Sequence, residues 1–419
     1  MFTRQKRSTG GIVAGLVVLL TLVFAYGLAA GQTYRVGITG PMTMYVGIMN
    51  WEAASIAAEE INQAGGILKR KVELIKIDTN EVVSVTDAVS ALERAITTQK
   101  IQAATGSFRS EAVLAMQDIA MDYKVIHLAT PAAAPEITQR VADNYKRYKY
   151  FFRPSPNSLH WVDVYLECAK ILKDKVQKEL GIKDAKVAIV ADKLIWADPI
   201  VKLLYQRCPS VGVTLVGDWR VSPVATDLTA ELTGVKASGA HMLFAPMAAG
   251  GGLALALQAN ELRIPAVNIG LGTVSRLGVW KETQGRINYS AGMAAIASCP
   301  ASPKSLPFWN KYIERTGDSP ATPGATYDAL YLLKAAIEKA NSFDPDSVVT
   351  AMEKIDIFGA QGRLQFSPTD HQVKLGEGWC LAPVLQFQDG KLVTVWPRQY
   401  GEFKLPPWMV EYWKGKGKS

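Results

Sequence analysis

From Tyr34 onward the chain alternates short, continuously apolar runs with stretches whose apolar residues recur at helical spacing, and it does so in two successive blocks. Strands that are apolar on both faces need cover on both sides, which a parallel sheet wrapped by helices supplies. The first block predicts strands at residues 34–39, 72–78, 103–106 and 124–129, with helices at 51–61, 85–98 and 111–121. In the first helix Ala53, Ile56, Ala57, Ala58 and Ile61 share one face, and Gly65-Gly66 supplies the left-handed positions that stop it. The second block predicts strands at 186–190, 213–217, 241–245 and 266–270, with helices at 199–206 and 227–235 and a Gly/Ala-rich helix before the last strand. Phe152-Arg153-Pro154-Ser155-Pro156 parts the blocks. The expected fold is α/β, two Rossmann-like lobes with parallel sheets. A ligand in such sheets sits beyond the C-terminal ends of the strands, so the loops after each strand hold the candidates.

The last third departs from this rhythm. Residues 307–315, 326–340 and 345–355 read as three helices. Strands at 382–387 and 391–396 follow, joined by Gln388-Asp389-Gly390, a hairpin signal.

The N-terminus gives an address. Arg4, Lys6 and Arg7 precede an uncharged run from Ser8 to Ala30, the pattern of a secretory signal. Cleavage near residues 29–31 and retention as an uncleaved anchor are both compatible with the run's length, and either leaves the rest of the chain facing outward. Without a cysteine in this stretch, a lipid-modified N-terminus is excluded. The net charge of +8 includes those three residues and Lys414, Lys416 and Lys418 of a basic tail read as frayed at 401–419. The body is only mildly basic and its Lys and Arg residues are scattered, which gives no case for nucleic acid. Cys168, Cys208, Cys299 and Cys380 lack metal-ligand spacing. Outside the cytoplasm they admit disulfides, with Cys299–Cys380 the first expectation and Cys168–Cys208 the second; for the latter pair, free buried thiols are the alternative.

Catalytic signatures are missing. The chain contains no G-x-S-x-G, H-E-x-x-H or G-x-x-x-x-G-K-[ST], and His127, His160, His241 and His371 stand apart from one another. No enzyme, metal site or cofactor is expected.

Tyr34-Arg35-Val36-Gly37-Ile38-Thr39-Gly40-Pro41, Ala58-Glu59-Glu60-Ile61-Asn62 and Gly65-Gly66-Ile67 resemble the opening of type I periplasmic binding proteins, in the branch of the leucine/isoleucine/valine-binding protein of ABC importers. Gly106-Ser107-Phe108-Arg109-Ser110-Glu111-Ala112, the segment from Thr130 to Thr138, Phe152-Arg153-Pro154-Ser155-Pro156, Thr326-Tyr327-Asp328-Ala329 and the ending from Phe387 to Pro397 are similar to the same family in the same order. The resemblance implies three hinge crossovers, near Phe152, Cys299 and Phe358. Residues 31–152 and 299–358 would form lobe 1, and residues 153–298 and 359–400 lobe 2. It further implies a monomeric extracytoplasmic protein that closes on a small-molecule solute and presents it to a membrane permease. The alternative is a sensor of the same fold, anchored or regulatory; a secreted hydrolase fails for want of a nucleophile and base.

Position by position, the resemblance implies that Ser110, or else Ser107, and the backbone N–H groups of Ala132, Ala133 and Ala134 hold a ligand carboxylate. Tyr45 stands for an aromatic wall, Trp196 replaces a second-lobe tyrosine, and Met247 lies where another tyrosine is lost. The loop carrying Thr273, Leu271 to Ser275, lacks the acid that counters the α-ammonium in amino-acid binders. A buried ammonium without that partner is costly. The expected solute is therefore a carboxylate or amide with an apolar or aromatic body. Simpler roles compete: Ser110 as a helix cap, Trp196 as a core plug, Arg109 solvated or reaching an anion, Arg153 paired within the hinge, and His160-Trp161 opening the first helix of the second lobe with or without facing the cleft.

Overall fold

The computed structural model describes Met1 and residues 33–416. Apart from Met1, the leader read at residues 1–30 lies outside the described residues, as do the last three residues of the tail.

The first sheet is built from β1 (Tyr34–Gly40), β2 (Val72–Asp78), β3 (Ala103–Gly106), β4 (Ile126–Ala129) and β5 (Phe151–Phe152). Its order is β2-β1-β3-β4-β5, and every pair is parallel. Helices α1 (Tyr45–Gln63), α2 (Val85–Thr97), α3 (Ser110–Asp122), α4 (Glu136–Asp143) and α5 (Tyr145–Tyr148) connect the strands. The chain then crosses into α6 (Ser158–Leu180) and a second parallel set: β6 (Lys186–Asp192), α7 (Asp198–Arg207), β7 (Thr214–Val221), α8 (Thr229–Ser238), β8 (Met242–Phe244), α9 (Ala249–Glu261), β9 (Val267–Gly270), α10 (Leu277–Glu282) and β10 (Ala291–Met293). It returns to the first sheet's side for α11 (Ser305–Thr316), α12 (Ala325–Ala340) and α13 (Pro345–Met352), where α12 packs on α1. A small hairpin, β11 (Ile357–Gly359) with β12 (Gly362–Leu364), precedes the last crossing. Strand β13 (Val384–Gln388) then pairs antiparallel with β10 and β14 (Lys391–Trp396) antiparallel with β13, completing the order β14-β13-β10-β9-β8-β6-β7. The two-lobed α/β architecture expected from the sequence is the one observed.

Three crossings lie side by side at the hinge and are fastened by buried polar groups. Arg153 bridges Gln372, and the Gln361 amide donates to the Pro154 carbonyl at 2.8 Å. The Asp328 carboxylate, fully buried at the start of α12, accepts from the Ala360 and Gln361 N–H groups at 2.6 and 3.0 Å. A side chain at 359 would meet that carboxylate at 2.4 Å, so only glycine fits there. Tyr327-Asp328 is thus a structural pair.

Two expectations are corrected. All four cysteines are free and buried, so neither Cys299–Cys380 nor Cys168–Cys208 is a disulfide. Burial pushes the thiols of Cys208 and Cys299 up to about 11 and those of Cys168 and Cys380 higher still, which leaves them protonated and inert. The end of the chain is not a frayed tail. Phe403, Leu405 and Met409 are buried, and α14 (Pro407–Lys416) docks on the second lobe. The indole N–H groups of Trp408 and Trp413 donate to the carbonyls of Ile264 and Pro265 at 2.9 and 2.8 Å.

Candidate functional site

Most walls of the cleft between the sheets are segments that follow a strand. After β1 the chain turns into the first residues of α1, which present Tyr45 and Val46. After β3, Gly106 adopts φ +115°, and a Cβ there would lie 2.1 Å from the Thr39 carbonyl oxygen. This turn needs glycine. It folds Ser107 back on β1, where its hydroxyl donates to Thr39 Oγ1 at 2.9 Å, and throws Phe108 into the cleft. The Phe108 N–H donates to the buried Glu81 carboxylate at 2.9 Å, and burial pushes that carboxyl up to about 7. After β4 come Pro131 and Ala133.

The second lobe supplies Trp161 from α6, Trp196 after β6, Ala248 after β8, and Leu271, Gly272 and Thr273 after β9. Thr322 and Pro323, from the segment before α12, close the remaining side. The cleft measures about 570 Å³, counted out into solvent at its mouth. Among the described residues its lining contains four aromatic rings and no carboxylate, ammonium, guanidinium or imidazole.

The lobes touch across this cleft. Tyr45 Oη and Thr273 Oγ1 are 2.6 Å apart, and the Arg276 guanidinium lies 4.9 Å from the Tyr45 ring. Beside them Asp318 pairs with Arg276 at 3.3 Å and accepts the Gly278 N–H at 2.9 Å. Ser319 donates to the Ser275 carbonyl and accepts the Leu277 N–H, both at 3.1 Å. The Ser158 hydroxyl lies within reach of two carbonyls, Ala133 of the first lobe at 2.9 Å and Trp196 of the second at 2.6 Å.

Of the residues singled out from sequence, the structure brings Tyr45, Ala133, Trp196 and Thr273 together on the wall. Ser107, Ser110, Ala132, Ala134 and Met247 lie behind it, buried. Ser110 does not cap α3 with its side chain; its hydroxyl oxygen accepts the Ala134 N–H at 3.1 Å and so fixes the loop after β4. Trp196 is both wall and core, 5% exposed and packed within the main apolar cluster. Arg109 reaches back to the carbonyls of Glu81 and Val82 and does not line the cleft. His160 is engaged in a reciprocal cap with Asn157 at the start of α6, while its neighbour Trp161 faces the cleft. Phe108 was legible only as part of a motif; its position two residues past the glycine that ends a strand is the signal that would have found it. Thr322 and Pro323 carry no local signal, because only the chain's return through α11 delivers them.

The Ala132–Ala134 loop is held from beneath. Arg153, fully buried, donates to the carbonyls of Ala132 at 3.3 Å and Ala134 at 2.8 Å, and to Thr138 Oγ1 at 3.3 Å. The Ala133 carbonyl accepts the Ser158 N–H at 2.9 Å. These contacts fix which way each peptide of the loop faces.

The periplasmic binding protein family matches residues 35–382. The Leu/Ile/Val-binding protein homolog 7 of Brucella abortus (strain 2308) is 23% identical over 93% of this chain and 99% of its own length. Among solved structures, the branched-chain amino acid transporter substrate binding protein LivJ from Streptococcus pneumoniae, in complex with isoleucine, is similar at TM-score 0.69 and 20% identity. That likeness covers 86% of this chain and 98% of that one. A solute binding protein of an R. palustris ABC transporter in complex with benzoate is similar at TM-score 0.70 and 16% identity, over 87% of this chain and 96% of that one. With two wound sheets facing each other across a cleft and a family match spanning most of its length, the chain belongs to the periplasmic binding protein family.

Proposed function

We propose that the protein is the extracytoplasmic solute-binding component of an ABC importer and takes a small carboxylate with an aromatic or apolar body. The observation that carries this reading is the composition of the cleft. Tyr45, Phe108, Trp161 and Trp196 offer flat apolar surface, and no acid lines the cleft to meet an ammonium. A free α-amino acid would bury its cation uncompensated. The two kinds of similar structure, one holding isoleucine and one benzoate, frame the choice, and the lining favours the second chemistry. In this reading residues 1–30 are a secretory leader and the protein acts as a monomer. Lobe 1 comprises 31–152 with 299–358, lobe 2 comprises 153–298 with 359–400, and α14 adds to lobe 2. A permease receives the closed form, and the solute leaves unchanged.

Native mass spectrometry of protein purified without denaturation, joined to tryptophan fluorescence during titration with benzoate, tests the reading. A released small acid or saturable quenching by benzoate supports it. A co-purified solute bearing a free ammonium would overturn it.

A further inference from the structure

The cleft has no charged side chain, yet a full positive charge lies directly beneath one of its walls. Arg153 is fully buried at the hinge, where the carboxylates of Asp370 and Glu136 act on it through space without a direct ion pair among the described residues. Its partners are neutral: the Gln372 side chain, Thr138 Oγ1, and the carbonyls of Ala132 and Ala134. Burial lowers its pKa to about 9, which still leaves the guanidinium protonated at neutral pH.

The peptide joining Ala132 to Ala133 is trans, so its C=O and N–H point in opposite directions. With the Ala132 oxygen turned down onto Arg153, the Ala133 N–H is turned away from it, on a residue that lines the cleft. Ala133 is buried, and its N–H has no acceptor among the described residues. A buried backbone donor left in this way calls for a partner. The same reasoning checks on the next peptide: the Ala133 oxygen faces Ser158, and the Ala134 N–H faces the opposite way, onto Ser110.

We infer that Arg153 is the charge that selects an anionic solute, acting through the Ala132–Ala133 peptide, whose N–H delivers its positive potential to the carboxylate. Arg153 is a positioning and specificity residue that never touches the solute. The cation polarises the peptide at one end and the anion at the other, and low-dielectric surroundings strengthen both contacts. Asp370 and Glu136 act on the guanidinium through space and offset part of its charge, yet neither is hydrogen-bonded to it, so the peptide oxygens of Ala132 and Ala134 take its N–H groups directly. The inference rests on the proposed carboxylate solute.

The test follows the Ala133 amide by NMR in the unmodified protein during titration with benzoate, benzamide, acetate and acetamide. It is paired with benzoate and benzamide affinities for Arg153→Lys and Arg153→Gln. The Ala133 amide proton should move with both acids and not with the amides. Arg153→Gln should lose roughly tenfold or more in benzoate affinity with little change for benzamide, and Arg153→Lys should fall between. If Arg153→Gln does not fold, Arg153→Lys decides: an unchanged ratio of benzoate to benzamide affinity overturns the inference. Benzoate binding without movement of Ala133 overturns the inference and leaves the solute reading standing. Movement with acetate but no binding of benzoate removes the aromatic acid, and the inference then stands only if Arg153→Gln weakens acetate. Silence at Ala133 toward both acids overturns the inference.

Discussion

At the scale of the residue, the wall of the cleft is set by what the aromatic side chains can and cannot pair with. Trp196 packs within the main apolar cluster and lines the cleft, so its truncation removes apolar surface from both. Trp196→Ala should weaken benzoate by about 1–3 kcal/mol, the range for losing a buried aromatic anchor, as read by calorimetry. His127, inside β4, has neither ring nitrogen partnered among the described residues and meets the Phe151 ring edge-on at 5.4 Å. Burial lowers its pKa to about 4 from 6.5, so the folded state holds it neutral where the unfolded chain would bind a proton. Its stability contribution is therefore complete above pH 6.5 and is lost as pH falls toward 4. Glu81 and Asp192, raised by burial to about 7, act with the opposite sign: their contribution is complete in acid and is lost as pH rises through 7. His127→Phe should flatten the acid side of the stability profile, measured as the denaturation midpoint against pH; an unchanged slope would remove His127 from the account.

At the scale of the element, the site is a property of strand ends. Gly106 lets β3 turn Ser107 back on β1 while placing Phe108 on the cleft wall. Gly106→Ala forces a left-handed alanine against the Thr39 carbonyl, so it should cost about 1–3 kcal/mol or more of stability, visible in thermal unfolding. The alternation of continuous apolar strands and amphipathic helices made these elements readable, because that pattern is what a doubly covered parallel sheet demands. The elements it could not disclose are those whose reason is tertiary. The three residues of β10 are a strand because β9 and β13 flank them, not because of their own sequence. The final helix reads as a basic tail until Trp408 and Trp413 find carbonyls on the second lobe. The same limit applies to the site. Tyr45 and Trp196 were visible as aromatics in post-strand loops, whereas the part Arg153 plays beneath Ala132–Ala134 depends on a hinge contact that no local pattern encodes.

At the scale of the whole molecule, two lobes meet through protein–protein contacts as well as through whatever they enclose. Asp318 and Ser319 bind the segment from Ser275 to Gly278 across the cleft, beside the Tyr45–Thr273 contact. These bonds exist only when the lobes are together, so they bias the hinge equilibrium toward closure. Asp318→Ala should lower benzoate affinity several-fold, by about 1 kcal/mol, while releasing Arg276 beside the Tyr45 ring. Small-angle scattering of the benzoate-saturated variant should show a larger mean radius of gyration than the parent protein; equal radii and equal affinity would strip the contact of that role. A cleft walled by aromatic rings, with no acid among its described lining residues, should admit a carboxylate and refuse an α-ammonium. Isothermal calorimetry of the purified protein with benzoate and, separately, with leucine tests it most directly: saturable heat with the first and none with the second is predicted, and micromolar binding of leucine would contradict it.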